Sequence, residues 1–277
     1  MADERSGATM KPEALLVGLL FLLVGVLGIA YGAREWAPPL ASQHGAGIDA
    51  MLRYLLVTTG GMFLVGHIVL AWLIWRGSRR TRVTHRMSSY RTEKRFGVAL
   101  GLVMALVAEG GVLAIGIPVW DEYFMADVPP NAVLIEVTGK QFEWHVRYPG
   151  PDGTLGPKSV ALIDDVTNPV GLDRSGSGGA DDIVTINQIT VPVTRPVRIR
   201  LQARDVIHSF FLPHMRVKQD AIPGMSPEVI FVPTREGNFE IACTELCGLG
   251  HYRMQAFFSV VSQAEFDAWL VEQATLQ

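Results

Sequence analysis

Three long segments with almost no charged side chains constrain the fold of this chain more than any other feature. They cover about residues 14–33, 54–75 and 96–120, and only His67 and Glu109 interrupt the second and third. Each is close to the ~20 apolar residues that a helix needs to cross a bilayer, where a helix satisfies its own backbone hydrogen bonds. We therefore predict three transmembrane helices in the first part of the chain.

The charges of the chain divide at the end of the third segment. Residues 1–120 carry 12 Lys and Arg against 7 Asp and Glu, whereas residues 121–277 carry 12 against 20. Residues 121–277 are therefore predicted to form a separate, acidic domain. A strongly basic nucleic-acid-binding protein is excluded by this balance. Two cysteines in the whole chain also exclude a disulfide-dense secreted domain.

The linker between the second and third segments predicts the topology. Residues 76–95 contain eight Lys and Arg and a single Glu. Short loops this basic stay on the cytoplasmic side of a membrane. The third helix then leads outward, and residues 121–277 lie on the extracytoplasmic side of a bacterial inner membrane.

The first segment has two interpretations. It is either a retained helix or a signal peptide removed near Ala41 and Ser42, and its length exceeds the usual 7–15 apolar residues of a signal peptide. Retention is therefore favoured. His67 and Glu109 are candidates for function because ionisable groups at membrane depth are costly. The alternative is that each hydrogen-bonds to a neighbouring helix.

Short runs of β-forming residues, separated by turn signals, fill the outer domain. This pattern is typical of an all-β sandwich. Ser262 and Glu265 then form a capping box, which predicts a short C-terminal helix. An exposed loop rich in Gly, Ser and Asp is predicted at residues 164–182. The predicted strands are residues 133–137, 141–148, 183–191, 196–201, 229–232, 238–243 and 255–261.

Both cysteines occur in one short stretch with a histidine and a methionine. Cys243, Cys247, His251 and Met254 follow one another at close spacing, and His208 lies upstream. A disulfide would not require the histidine and the methionine, and a zinc site has no use for a thioether. Thiolate, imidazole and thioether together favour copper. Because a single blue-copper site needs one cysteine, the pair suggests two coppers bridged by both sulfurs.

Three motifs carry a resemblance to a known family. They are Asp205-Val-Ile-His208-Ser, the segment from Asp220 to Gly224, and Cys-x-Glu-x-Cys-x-x-x-His-x-x-Met from Cys243. The combination resembles subunit II of the haem–copper cytochrome c oxidases over roughly residues 50–275. The intact pair of cysteines argues against the quinol-oxidising relatives, which lack it.

The resemblance implies a cupredoxin-like Greek-key β sandwich that holds a binuclear copper centre, CuA. The chain would thus be a membrane-anchored all-β protein. The side chain of Glu245 resembles one that helps to bind magnesium at the contact with subunit I. The copper ligands implied by the resemblance are the bridging Cys243 and Cys247, the terminal His208 and His251, and the weak axial Met254 sulfur and Glu245 backbone carbonyl.

The sequence also departs from the family. Phe142 stands where the family has the tryptophan thought to accept the electron, whereas Trp144 keeps a later aromatic position. Both are candidates for electron uptake, and Trp144 is equally well explained as a packed core residue. The family often has a glutamate that opens a proton path near the inner end of the last helix, and Glu93 is the nearest candidate, with Glu109 further along.

The resemblance implies the subunit of a respiratory oxidase that accepts electrons from cytochrome c or another donor. It would pass them to haem in subunit I, where oxygen is reduced. The alternatives are the CuA subunit of a nitric oxide reductase and a membrane-anchored copper carrier or assembly factor. An acidic face could steer a basic cytochrome c. Its candidates are Glu143 and the loop residues Asp164, Asp165, Asp173, Asp181 and Asp182.

Overall fold

The computed structural model describes residues 11–34, 37–79, 89–125, 127–176 and 178–277. Residues 80–88 of the basic linker lie outside the described residues. The chain divides into two compact units. The helical unit consists of Met1–Trp36 and Asp49–Ile117, and the β unit consists of Ala37–Ile48 and Pro118–Gln277.

Three helical segments in the described residues are long and apolar enough to span a membrane, as the sequence predicts. The third contains a π-helical turn at Ala105–Glu109 and ends in a second one at Asp121–Met125. The observed helices extend beyond the apolar segments because flanking polar residues continue the helical backbone. Their bounds are Pro12–Gly32 (α1), Gly45–Ser78 (α2), Tyr90–Met104 (α3) and Gly110–Trp120 (α4).

Glycines bring α1 close to α2 around His67. A Cβ added at Gly25 would lie 3.2 Å from the His67 Cβ, and one at Gly28 would lie 2.9 Å from the Phe63 ring. Small residues permit this close approach of helices in a membrane. His67 Nδ1 lies 2.8 Å from the Phe63 carbonyl oxygen, and its ring packs 5.8 Å from that of Phe21 on α1. His67 therefore faces a neighbouring helix but hydrogen-bonds to its own.

The two membrane glutamates have different positions. Glu93 lies exposed in the first turn of α3. Glu109 ends the first π-helical turn and is also exposed. π-Helical turns in a helix are frequent at functional sites. A proton-path role for either glutamate stays a prediction.

The β unit contains two five-stranded sheets, which confirms the predicted sandwich. The strands are β1 Val133–Lys140, β2 Glu143–Tyr148, β3 Ile183–Ile186, β4 Gln188–Pro192, β5 Val197–Ala203, β6 His208–Leu212, β7 Val217–Ala221, β8 Glu228–Phe231, β9 Gly237–Cys243 and β10 Gln255–Val261. The first sheet has the order β3-β2-β1-β5-β8 and the second β4-β10-β9-β6-β7. In the first sheet β1 pairs antiparallel with β2 and parallel with β5.

The core lies between the sheets and is formed by alternating apolar side chains. Ile135, Ile199, Phe210 and Phe258 are fully buried there. Complete burial of side chains of this size contributes about 1.5–3 kcal/mol each through the hydrophobic effect. The core thus holds the ends of the strands in place, where the metal-ligand candidates lie.

Two details of the strand prediction are wrong. The run 183–191 is two strands in different sheets, divided at Asn187. Asn187 has a φ of 54°, a left-handed conformation that asparagine tolerates better than most residues. Its side-chain oxygen accepts a hydrogen bond from the Trp144 backbone N–H at 2.7 Å. Strands β6 and β7 were not predicted, because neither has a long run of β-branched residues.

The chain between the first two helices forms part of the β unit. The Ala41 N–H donates to the His214 carbonyl oxygen at 2.8 Å, and the Thr234 N–H donates to the Ala41 carbonyl at 2.8 Å. Ser42 Oγ donates to the Met215 carbonyl at 2.7 Å. Ala41 and Ser42 are both buried. The position of the predicted signal-peptide cleavage therefore belongs to the folded β unit.

The capping box at the C-terminus is confirmed. The Ser262 side chain accepts a hydrogen bond from the Glu265 N–H, and the Glu265 carboxylate accepts one from the Ser262 N–H at 2.9 Å. The helix that follows, α5, extends over Gln263–Ala274. Phe266 is buried on the sandwich and anchors the helix.

The acidic loop differs most from its prediction. Asp182 was predicted in an exposed loop, but it is fully buried and pairs with the Arg147 guanidinium at 2.7 Å. Arg147 also pairs with Glu136 at 2.9 Å. Asp165 bridges Arg204 at 2.7 Å and Lys140 at 3.1 Å. Ion pairs of Asp182 and Asp165 hold the loop on the sandwich, while Asp164 is exposed and 62% of the Asp165 side chain remains exposed, so an acidic face for a basic cytochrome c stays a prediction.

Candidate metal centre

Neighbouring strands bring the candidate ligands to one end of the sandwich. His208 begins β6 and Cys243 ends β9, and the register pairs Phe210 with Cys243 across these strands. Cys247 lies in the loop between β9 and β10, which ends at the short 3-10 turn His251–Arg253. Residues 35 positions apart in sequence therefore meet because β6 and β9 are hydrogen-bonded neighbours.

The two cysteines are free thiols that face each other. Their sulfurs lie 3.9 Å apart, almost twice the ~2.05 Å of a disulfide bond. The His208 Nδ1 lies 4.0 Å from the Cys243 sulfur. The donor atoms of His208, Cys243 and Cys247 lie within 4.8 Å of one another.

The remaining donors approach the cysteines from the loop. His251 Nδ1 lies 3.6 Å and Met254 Sδ 3.7 Å from the Cys247 sulfur. The Glu245 carbonyl oxygen lies 3.2 Å from the Cys243 sulfur. All six predicted copper ligands therefore converge, with one imidazole against each cysteine.

The centre is shielded from solvent. His208 is fully buried, and Cys247 and Met254 are 3% and 2% exposed. His251 is half-buried, and the Glu245 side chain is exposed. Three large apolar side chains of the loop, Leu246, Leu249 and Tyr252, are also exposed around the buried donors.

The two thiols differ in acidity. Burial opposes ionisation of Cys243, but hydrogen bonds from His208 and backbone amides lower the pKa of that thiol to about 6. Burial, together with the neighbouring Cys243 sulfur, raises the pKa of Cys247 to about 11. Two adjacent thiolates repel each other, so the second proton leaves readily only when a cation replaces it.

The donor set fits copper better than zinc. Two thiolates, two imidazoles, a thioether and a carbonyl exceed the four ligands of a structural zinc site, which also does not use methionine. Soft sulfur ligands with a weak axial methionine are typical of copper. Two cysteines that can be shared, with a histidine near each, provide enough donors for two ions.

The two aromatic candidates for electron uptake occupy different depths. Trp144 is fully buried and packs edge to face against Phe210, with ring centroids 5.7 Å apart. Its ring also lies 5.9 Å from that of His208. Phe142 is half-buried and packs beneath the loop at Gly248 and Gly250. Only Phe142 of this pair reaches the surface, and a role of either in electron uptake stays a prediction.

Glu143 lies next to Phe142 and is partly neutralised by basic neighbours. Its carboxylate is 3.1 Å from the His145 Nε2 and 3.7 Å from the Lys140 ammonium. About a third of its side chain, 34%, remains exposed. Burial lowers the pKa of His145, with Glu143 acting in the opposite direction.

Sequence reasoning missed the residues that surround the ligands. Asp205 appears in the motif, but its contacts were not predicted: Oδ1 lies 2.8 Å from the His208 Nε2. Burial opposes its ionisation, yet hydrogen bonds from the Gln141 amide, His208 and the Val206 amide lower the pKa of Asp205. The three-residue spacing of Asp205 and His208 was the available signal.

Comparisons with known proteins identify the family of this chain. The family described as cytochrome c oxidase subunit II, periplasmic domain, matches residues 133–264. The alternative cytochrome c oxidase subunit 2 of Bradyrhizobium diazoefficiens is 32% identical over 267 residues, which cover 94% of this chain and 93% of the relative. Cytochrome c oxidase subunit 2 of Cereibacter sphaeroides is 29% identical and covers 88% of this chain and 80% of the relative.

A solved structure is also similar. The periplasmic domain of subunit II of cytochrome oxidase of Bradyrhizobium japonicum is 34% identical. The similarity covers 54% of this chain and 98% of that domain, with a TM-score of 0.40.

Proposed function

The chain belongs to the cytochrome c oxidase subunit II family, and from this premise we propose that residues 208–254 hold a binuclear CuA centre for electron uptake. Members of the family are subunits of an oxidoreductase complex. The bound centre would accept single electrons from cytochrome c and supply them to haem in subunit I for oxygen reduction. The observation that carries the proposal is the convergence of both cysteine sulfurs with His208, His251 and Met254.

The residues of the centre suit electron transfer because they are held in place. Cys243 lies at the end of a paired strand and His208 at the start of its neighbour. The Cys243 N–H donates to the Met254 carbonyl oxygen at 3.1 Å, which joins the two ends of the ligand loop. Ligands that move little when the charge changes allow fast transfer, and their hydrogen-bonded surroundings tune the potential.

The burial of the ligands argues against a copper carrier. A carrier has to release its metal to another protein, so its ligands need an accessible position. Here the cysteines and Met254 are almost fully buried, and His208 is fully buried. A closed site of this kind favours a resident redox centre. Oxygen, rather than nitric oxide, is proposed as the terminal substrate because the relatives are named cytochrome c oxidase subunits.

A second metal at the contact with subunit I belongs to the same proposal. The Glu245 side chain is exposed, and its backbone carbonyl faces the cysteines. Among the described residues, the group of His, Cys, Asp and Glu side chains that could hold a metal ion is His208, Cys243 and Cys247, and Glu245 is not part of it. A magnesium ion at Glu245 would therefore need further oxygen ligands from subunit I.

The proposed location follows from the two units. The chain is membrane-anchored and carries an extracytoplasmic domain. We place it in the inner membrane of a bacterium, with oxidase subunits as partners in the membrane and cytochrome c, or another donor, outside. Exposed apolar side chains cover the described helices, as expected for surfaces that face lipid or other subunits.

Copper binding by the purified full-length chain in detergent tests the proposal. We expect two coppers per chain after loading, and an electron paramagnetic resonance spectrum in which one unpaired electron is shared by both. A stoichiometry of one copper without the mixed-valence spectrum would contradict the binuclear centre. Reduction of the loaded chain by cytochrome c tests the electron donor separately.

A further inference from the structure

The carboxylate of Asp205, which is not a proposed copper ligand, contacts both a proposed ligand and a neighbouring turn. Asp205 Oδ1 accepts a hydrogen bond from the His208 Nε2 at 2.8 Å. Asp205 Oδ2 accepts one from the Gln141 backbone N–H at 2.8 Å. The carboxylate therefore connects the start of β6 to the turn between β1 and β2.

The same turn holds the cysteine loop. The Gln141 side-chain Nε2 donates a hydrogen bond to the Cys247 carbonyl oxygen. A Cβ added at Gly248 would lie 2.7 Å from that Nε2, and one at Gly250 would lie 2.6 Å from the Phe142 Cγ. The turn and the loop are thus in direct contact, and glycine at both positions allows the contact.

Together these hydrogen bonds form a continuous path between two ligands. It runs from the His208 ring through Asp205 and Gln141 to the Cys247 carbonyl. Strand pairing connects β6, which carries His208, to β9, but Cys247 lies in the loop after β9 and outside this pairing. The hydrogen-bonded path therefore connects His208 to Cys247 where strand pairing does not.

We infer that Asp205 and Gln141 are positioning residues that hold His208 and the Cys247 loop in the geometry of the metal centre. A hydrogen bond from the His208 Nε2 to Asp205 keeps that nitrogen protonated and leaves Nδ1, 4.0 Å from the Cys243 sulfur, as the ligand atom. Hydrogen-bonded partners of metal ligands fix the tautomer and the ring orientation, and losing one typically lowers metal affinity about 10- to 100-fold.

Nitrogen NMR of the metal-free full-length chain tests the Asp205 step without relying on the proposed function. We expect the His208 Nε2–H to show the nitrogen and proton shifts of a hydrogen bond to a carboxylate in the wild type, and both shifts to move in Asp205→Asn. The matched control is Asp220→Asn on the adjacent strand β7, which removes the same charge and whose carboxylate pairs with Lys218 at 3.5 Å. Unchanged Nε2–H shifts of His208 in folded Asp205→Asn would overturn the inference.

Copper release to a chelator tests the whole path, and this arm rests on the proposed function. We expect about 10-fold faster release from Asp205→Asn and from Gln141→Met, with altered copper hyperfine splitting. The double variant should lose less than the product of the single effects, because both residues act on one path. Gln141→Met leaves the contact between Asp205 and His208 intact, so it should keep the wild-type Nε2–H shifts of His208.

The outcomes separate the two proposals. If the wild type fails to bind two coppers while Asp205→Asn still moves the His208 Nε2–H shifts, the binuclear centre is wrong and the positioning role of Asp205 stands. If both variants release copper no faster than Asp220→Asn, the path does not position the ligands. Multiplicative effects in the double variant would show that Asp205 and Gln141 act separately, which also contradicts the inference.

Discussion

The metal centre and the anchor of the acidic loop both gather ionisable side chains on the same sandwich, but they arrange them in opposite ways. At the centre, the donor atoms of His208, Cys243 and Cys247 lie within 4.8 Å of one another, and the carboxylate of Asp205 contacts the Nε2 of the His208 ring. At the anchor, Arg147 lies between the carboxylates of Glu136 and Asp182 at 2.9 and 2.7 Å. A group of sulfur and nitrogen donors suits a metal ion, whereas the charges of the anchor satisfy one another as ion pairs.

We expect the metal centre to matter for function and the anchor to matter for the stability of the fold. Burial raises the pKa of Asp182, although Arg147 and the Gly156 amide act in the opposite direction. Removing one partner of a buried ion pair leaves an uncompensated charge and is strongly destabilising. We therefore expect changes at the anchor to unfold the β unit and changes at the centre to alter the metal while the fold persists.

The largest effect is expected from Cys247→Ser. Each proposed sulfur bridges two ions, so loss of one sulfur should abolish the binuclear spectrum and nearly all electron uptake. Circular dichroism should show an unchanged sandwich, since the serine keeps the size of the side chain. The matched variant Cys243→Ser should behave in the same way. A normal mixed-valence spectrum in either variant would contradict the shared-sulfur centre.

Arg147→Met should destabilise the β unit by about 3–5 kcal/mol, because Asp182 would remain buried without its cation, whereas Glu136 would keep Lys158 at 2.6 Å. Chemical unfolding of the full-length chain, followed by tryptophan fluorescence, measures this change. The control is Arg198→Met, because Arg198 pairs with Glu228 at 2.7 Å in a partly exposed position.

The control should cost only about 0–1 kcal/mol. Equal losses of stability in Arg147→Met and the control would show that burial does not distinguish the anchor. A loss of copper from folded Arg147→Met would show that the anchor also supports the metal centre, which would contradict the separation of the two sites.

Met254→Leu should have a smaller effect. A weak axial ligand tunes the potential more than it holds the metal, so copper should be retained with a shifted potential and slower transfer to haem. Met215→Leu is the control, because Met215 is equally buried but lies outside the centre. Redox titration compares the two variants, and complete loss of copper from Met254→Leu would make Met254 a primary ligand.

The grouping of side chains at the metal centre could largely be predicted from the sequence, whereas the ion pairs of the anchor could not. Cys243, Cys247, His251 and Met254 lie within 12 residues, so their types and spacing predicted that they lie together. Arg147 and Asp182 are 35 residues apart, and no local pattern shows that they meet. The acidic loop therefore looked like an exposed charged surface.

The errors in the fold have similar causes. The run around Asn187 has strand-forming residues on both sides, and only the left-handed backbone at Asn187 divides it between two sheets. The path through Asp205 and Gln141 could not be predicted, because it depends on the contact of a turn with a loop 106 residues away. Local patterns thus indicated elements and ligands, whereas contacts between distant segments required the structure.

The smallest effect is expected at the surface beside the centre. Glu143 and Asp165 both contact basic side chains but keep exposed fractions of 34% and 62%, and Glu143 is the acidic side chain that adjoins Phe142. Glu143→Gln should lower the association rate about threefold at low salt, since one charge supplies only part of an electrostatic effect of 10- to 10³-fold. The copper spectrum should not change.

Stopped-flow reduction of the copper-loaded chain by cytochrome c measures this rate at several ionic strengths. The difference between Glu143→Gln and wild type should shrink as salt rises, because the Debye length falls to about 10 Å at 0.1 M. Glu272→Gln on α5 removes an exposed charge of the same type and should leave the rate unchanged. If wild-type reduction does not depend on salt, attraction between charges does not guide the donor. Contact with the exposed apolar residues Leu246, Leu249 and Tyr252 around the ligand loop would then explain docking better.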